Sequence, residues 1–227
     1  MYKLRVFTLL FITSLICACG NGNTLTNESD NTSKKTTETS AASKKTILVF
    51  GDSLTAGYGL DDPSSESFPA VIQHKIDSLK LPYKIMNGGL SGETSAGGNS
   101  RIDWLLRQKI DVFILELGAN DGLRGLPVAE TAKNLQNIID KVKTKYPNAK
   151  LILTGMMVPP NMGPEYASSF KAVFPKLAQK NNMAYIPFLL QNVAGVRDLN
   201  QNDGIHPTAK GAKIVANNVW GVLKKEL

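Results

Sequence analysis

Residues 112–121 read VFILELGAND, a run apolar at all but one of its first six positions and broken at Gly118 by small and polar residues. A strand covered on both faces has this near-continuous character, whereas a half-exposed strand alternates. Residues 47–50, 151–153 and 184–188 are short runs of the same kind, and 83–86 is a weaker one, which makes five strands. Between them apolar residues recur at steps of three and four. Phe68, Val71, Ile72, Ile76 and Leu79 form one such stripe, Ile102, Leu105 and Leu106 a second, and Val128, Ala132, Leu135, Ile139 and Val142 a third. Tyr166, Phe170, Val173, Phe174 and Leu177 precede the fifth strand, and Ala212, Val215, Val219 and Val222 close the chain. Each stripe is one core-facing side of a helix. Buried strands alternating with helices predict a three-layer α/β domain over residues 46–227, built on a five-stranded parallel sheet. Ligands bind such sheets beyond the carboxyl ends of the strands. The polar, glycine-rich segments 51–58, 87–98 and 118–125 should therefore share one rim.

Composition narrows the function. Of the 227 residues 42% are hydrophobic and 20% charged, ordinary for a globular protein. The formal net charge is +7, but Lys3, Arg5, Lys34, Lys35, Lys44 and Lys45 precede the domain, opposed there only by Glu28, Asp30 and Glu38. The remainder carries +4, with no cluster of Lys and Arg interleaved with aromatics, so no nucleic-acid partner is expected. Both cysteines, Cys17 and Cys19, lie in the first twenty residues, which excludes disulfides and thiolate metal sites from the domain.

The amino-terminal segment reads as export machinery. Met1 to Arg5 carry two positive charges and 6–18 is an apolar stretch, the pattern of a secretory signal and too short to span a bilayer. Residues 16–20, ICACG, resemble the bacterial lipoprotein box, which implies cleavage after residue 18 and lipidation of Cys19. The alternatives are an ordinary cleaved signal and an uncleaved anchor. From 20 to 45 the chain is rich in Ser, Thr, Asn and Lys, too polar to offset its ordering entropy by burial, and reads as a flexible tether. The expected location is a bacterial membrane, through Cys19, facing the periplasm or the cell exterior.

Few residues in the domain can do acid–base chemistry near neutral pH, because only His74 and His206 are histidines. His74 falls on the outward side of the first helical stripe and reads as a surface residue. His206 stands in Asn202-Asp203-Gly204-Ile205-His206-Pro207, where Pro207 biases it away from helix. Asp203 can turn back to one ring nitrogen and leave the other free to take a proton. With no second histidine beside it and no cysteine in the domain, this pair does not suggest a metal set. Ser53 is the serine at a strand's carboxyl end on the predicted rim, and a base within reach would activate it. Its plainer reading is a helix cap. Gly51 would let the chain turn sharply out of the strand, and the small residues after Leu54 would leave room for substrate. Thr55 breaks the Gly-x-Ser-x-Gly pattern and argues against an α/β-hydrolase elbow. Donors for an oxyanion are available at the Gly92 backbone N–H and the Asn120 amide, although Gly92 also suits a turn and Asn120 a loop cap.

Gly51-Asp52-Ser53-Leu54, Gly92 within Ser91-Gly92-Glu93-Thr94, Gly118-Ala119-Asn120-Asp121 and Asp203-Gly204-Ile205-His206 resemble, in order and spacing, the four signature blocks of the GDSL or SGNH hydrolases. Residues 117–125, LGANDGLRG, are similar to the thioesterase I, protease I and lysophospholipase L1 type, also called arylesterase. The resemblance covers residues 46–225 and implies a flavodoxin-like fold. It implies Ser53 as nucleophile, His206 as its base with Asp203 as the partner of that base, and Ser53, Gly92 and Asn120 as the oxyanion hole. It further implies a monomer with no cofactor or metal that hydrolyses small-molecule or lipid acyl esters and thioesters, including aryl esters, lysophospholipids and acyl-CoA. Asn87-Gly88-Gly89-Leu90 departs from the related Asn-Ala-Ser-Ile run. Two other functions fit the same residues: a carbohydrate acetylesterase, and a lipid-binding lipoprotein that has lost catalysis. Leu123, Leu126, Val158 and Met162 lean towards longer acyl chains.

Overall fold

The protein is described here by a computed structural model covering residues 44–227, so the signal, the tether to residue 43, and Cys17 and Cys19 lie outside the described residues. The strands are β1 (Lys45–Gly51), β2 (Tyr83–Gly89), β3 (Val112–Glu116), β4 (Lys150–Thr154) and β5 (Ala184–Ile186). They form one parallel sheet in the order β2-β1-β3-β4-β5. The five expected strands are all present, and β2 runs three residues further than its weak apolar run suggested. Ile47 to Phe50 and Val112 to Leu115 are fully or almost fully buried, because helices cover both faces of these central strands.

Among the described residues eight α-helices accompany them: α1 (Ser53–Ala56), α2 (Pro63–Glu66), α3 (Phe68–Ser78), α4 (Ser95–Leu105), α5 (Ala119–Leu123), α6 (Val128–Lys145), α7 (Pro164–Asn181) and α8 (Ala209–Leu223). α3 packs with α8, while α4 packs with α6 and α6 with α7, giving the two outer layers. Local chemistry sets their starts: Ser67, Thr94 and Thr208 accept N–H bonds as caps of α3, α4 and α8. α7 contains Pro175 in its interior, with the proline on the exposed side of the helix.

The strand order places the site. From β1 the chain moves out to β2, then returns to β3 on the other side of β1, so the loops after β1 and β3 diverge across a crevice. Ser53 follows β1, and Asn120 follows β3.

Two expectations about the first loop need correction. Gly51 has no positive φ and lies within β1; a Cβ there would stand 2.1 Å from Thr55 Oγ1 and 2.3 Å from Glu116 Oε2. It is glycine because β3 and α1 approach its backbone closely, not because the chain must turn. The small residues after Leu54 form α1 rather than an open space. Thr55 is buried, and Ala56 packs so closely on β2 that a Cβ at Gly89 would lie 2.2 Å from its nitrogen.

Candidate functional site

Ser53 is the first residue of α1, yet it does not cap the helix. Asp52 does: its carboxylate accepts the Leu54 N–H at 3.0 Å, which leaves the Ser53 hydroxyl free to face the crevice. Gly57, at φ +78°, ends the helix after one turn and donates to the Ser53 carbonyl at 3.0 Å. The serine is thus held from both sides on a single helical turn.

The second half of the site comes from the loop between β5 and α8, pinned by the bridge Asn200–Pro207. Asp203 Oδ1 accepts the backbone N–H groups of Ile205 and His206 at 2.9 and 3.0 Å. Its Oδ2 lies 2.6 Å from His206 Nδ1, and His206 Nε2 lies 2.9 Å from Ser53 Oγ. Partial burial pushes the Asp203 carboxyl upward, but the hydrogen bonds from the His206 ring and from two backbone N–H groups outweigh it and hold its pKa at about 2. An ionised Asp203 only accepts, so His206 Nδ1 donates and Nε2 is left to accept the serine proton.

Two residues that sequence reasoning missed support this chain. The Tyr58 ring lies over the His206 ring with centroids 4.7 Å apart. Gln201 donates through Nε2 to the Tyr58 carbonyl at 2.7 Å and to the Pro207 carbonyl at 3.0 Å, joining the loop after β1 to the loop that carries Asp203 and His206. Nothing in an isolated polar loop residue signals such a role.

Asn120 lies on α5, not in an open loop as expected. Its Nδ2 donates to Asp52 Oδ2 and to the Glu93 carbonyl, both at 3.1 Å. Gly92 adopts φ +78°, a conformation that favours glycine, and Arg124 Nη2 donates to its carbonyl at 3.0 Å. Arg101 holds the next residue, pairing with both carboxylate oxygens of Glu93 and lying over the Phe50 ring at 4.5 Å. Asp121 ties the first residue of α4 to α5, accepting from the Ser95 N–H at 2.8 Å and the Ser95 hydroxyl at 2.5 Å. Ser53, Asp203 and His206 are therefore joined by direct hydrogen bonds. Asn120 and Gly92 adjoin them through Asp52 and Glu93.

Beneath Ser53 lie two buried carboxyls. Burial raises Asp52 to about 6 against the pull of its bonds from Leu54 and Asn120, and burial with the nearby Asp52 charge raises Glu116 well above the carboxylate range. Glu116 Oε2 accepts the Thr55 hydroxyl at 2.7 Å and the Asp52 N–H at 3.3 Å. A charge interrupting the apolar run of β3 was the signal that could have exposed it.

A cavity of about 620 Å³ opens beside the serine. Ser53, Asn120 and His206 line its polar end, and Leu123, Met156, Val158, Phe188, Leu190 and Ile205 are among its apolar walls. Of the four apolar residues singled out from the sequence, Leu123 and Val158 line it, whereas Leu126 and Met162 do not. Its lining suits a small polar head with an apolar chain. Among the described residues no three His, Cys, Asp or Glu side chains cluster as metal ligands, and His74 is exposed on α3.

The sequence pattern of the GDSL-like Lipase/Acylhydrolase family matches residues 49–214, a span that includes all of these loops. The chain belongs to this family. Esterase TesA of Pseudomonas aeruginosa is 38% identical over 187 residues, covering 82% of this chain and 91% of its own. Thioesterase 1/protease 1/lysophospholipase L1 of Escherichia coli K12 is 36% identical over 178 residues, covering 78% and 82%. Among solved structures, the psychrotrophic esterase EstA of Pseudoalteromonas sp., inhibited by monoethylphosphonate, superimposes with a TM-score of 0.75 at 36% identity, covering 80% of this chain and 98% of that one. The chain is a GDSL esterase or acyl hydrolase, and its sheet and helices are those of the SGNH hydrolases.

Proposed function

We propose that this acyl hydrolase works through Ser53 as nucleophile, with His206 as general base and Asp203 as the group that orients and charges it. Ser53 Oγ attacks the acyl carbonyl while His206 Nε2 takes its proton. The tetrahedral oxyanion accepts from the backbone N–H groups of Ser53 and Gly92 and from Asn120 Nδ2. Both Nδ2 protons of Asn120 are engaged in the free protein, so the oxyanion competes with the Glu93 carbonyl for one of them. His206 then returns the proton to the leaving alcohol or thiol, and water, activated by the same nitrogen, releases the acid from the serine. The observation that carries this reading is the unbroken relay from Ser53 Oγ through His206 to Asp203, at 2.9 and 2.6 Å.

The substrate class is esters and thioesters of apolar acyl chains, including aryl esters, lysophospholipids and acyl-CoA. The names of the relatives and the apolar walls of the cavity support it. The enzyme acts as an exported monomer held at a membrane by lipidated Cys19. A fluorophosphonate probe tests the site. Labelling should map to Ser53 and vanish, together with turnover of p-nitrophenyl octanoate, in Ser53→Ala; labelling elsewhere removes Ser53 as nucleophile. Incorporation of a fatty-acid analogue that is lost in Cys19→Ser tests the anchor.

A further inference from the structure

In a parallel sheet the strand starts share one end of the domain, and here that end is basic. Lys45 begins β1, Lys84 is the second residue of β2, Lys109 precedes β3, and Lys150 begins β4; all are exposed. Lys44, Lys45, Lys84 and Lys109 line one shallow hollow, and Lys143 and Lys150 line another with Asn148 and Asn182. The acidic groups on this pole are Asp77, paired with Lys44, Asp103, paired with Lys141, Asp111, paired with Lys109, and half-buried Glu226. Lys45, Lys84, Lys143 and Lys150 have no ion-pair partner among the described residues. Helix dipoles favour cations at the end of α6, where Lys143 and Lys145 stand, but they do not call for lysines at the strand starts.

The opposite pole differs in sign. Around the crevice Asp61, Asp62, Glu165, Asp198 and Asp203 are exposed, against Arg124, Arg197 and Lys210. The poles are separated by the length of β1, about 20 Å for a seven-residue strand, roughly twice the screening length at 0.1 M salt. An anionic surface therefore sees one attractive pole and one repulsive pole. The 43 residues preceding the described ones join the domain at Lys44, on the basic pole. No described helix is long and apolar enough to cross a membrane.

We propose that the pole formed by Lys45, Lys84, Lys109 and Lys150 docks electrostatically on an anionic lipid bilayer and turns the Ser53 crevice away from that surface. Charge complementarity selects a bilayer as occupant, and the entry of the chain at this pole agrees with it where the proposed Cys19 anchor holds. The docking is independent of the catalytic reading, because none of these lysines belongs to the site. In this orientation substrate enters from the aqueous side.

Residues 44–227 serve for the test, since a span of this extent makes up nearly the whole of the crystallised EstA chain. In about 20 mM salt this domain should sediment with vesicles of phosphatidylglycerol and phosphatidylcholine, not with phosphatidylcholine alone, and should be released as salt rises. The triple variant Lys84→Glu/Lys109→Glu/Lys150→Glu should lose at least about a hundredfold in partitioning, as three attractive charges become repulsive, and still hydrolyse p-nitrophenyl butyrate at the parent rate. Lys171→Glu/Lys176→Glu/Lys213→Glu, an equal charge change on α7 and α8, should keep most of the binding. The proposal is overturned by no sedimentation with anionic vesicles, by equal loss in both triple variants, or by equally tight binding to a single-stranded oligonucleotide.

Discussion

The Gln201 side-chain amide donates to the Tyr58 carbonyl at 2.7 Å, across 143 positions of sequence, while the Gln201 N–H donates to the His206 carbonyl at 2.7 Å. One residue thus spans the seam across which Ser53 and His206 must meet. Gln201→Ala should lower kcat by about tenfold or more with little change in KM, since small displacements of reacting groups are costly. Tyr58→Phe should keep near-parent kcat, because the ring over His206 and the backbone carbonyl are both retained. Steady-state kinetics on a short aryl ester checks both, and a KM effect alone would assign Gln201 to substrate binding.

Asn120→Ala should cost roughly 10²–10³ in kcat if its amide serves the oxyanion. Unchanged turnover of p-nitrophenyl esters would remove it from the hole and leave it as the link between Asp52 and the Glu93 carbonyl.

Glu116 has a packing role that its charge does not reveal. Glu116→Gln keeps an oxygen for the Thr55 hydroxyl and the Asp52 N–H and should change stability by less than about 1 kcal/mol. Glu116→Ala opens a cavity and orphans both donors beneath Ser53, at a cost of about 2–4 kcal/mol. Urea unfolding of the two variants distinguishes them.

Stability should fall as pH rises from about 4 to about 6. Asp52 titrates at about 6 in the folded protein against 3.8 ordinarily, so between those values the folded state holds more protons than the unfolded chain. Glu116, raised well above 4.5, acts in the same direction. Asp203, held at about 2, acts oppositely and lower: its stabilisation is present above 3.8 and is lost as pH falls through 2. Asp52→Asn should flatten the decline between pH 4 and 6, both directly and by removing a charge that raises Glu116. Urea midpoints at several pH values measure it, and an undiminished slope would assign the decline to other groups.

The apolar cavity predicts that octanoyl esters are cleaved with a higher kcat/KM than acetyl esters. Ile205→Asp, on its wall, should lower the octanoyl value several-fold more than the acetyl value, since burying a charge beside an alkyl chain is costly. An acetyl-only profile would favour the carbohydrate acetylesterase reading.

Much of the architecture was legible without coordinates, because a strand buried on both faces must be apolar at nearly every position, as 112–115 is, and a covering helix must be apolar at every third or fourth. Sheet class, strand count and the rim that bears the loops follow from those periodicities. Ser53, Asp203 and His206 were legible for another reason: few residue types can do this chemistry, and the domain has only two histidines.

The tertiary structure decided what depends on approach between distant segments. Gly51 was read as a turn residue, but its reason lies in Glu116 and Thr55, which press on its backbone from β3 and α1. Ser53 as cap and Ser53 as free hydroxyl were equivalent locally until Asp52 proved to hold the cap bond. Gln201 and Tyr58 carry no periodic or compositional signal, and the charge that interrupts the run at Glu116 does not name its partners, because a hydrogen bond spanning 61 or 143 positions leaves no trace in the residues beside it. The sequence by itself determined which groups could react and which end of the sheet would carry them. Only the folding of β1, β3 and the 200–207 loop onto one crevice decided which partners hold them, since hydrogen-bond geometry is set by packing and not by spacing along the chain.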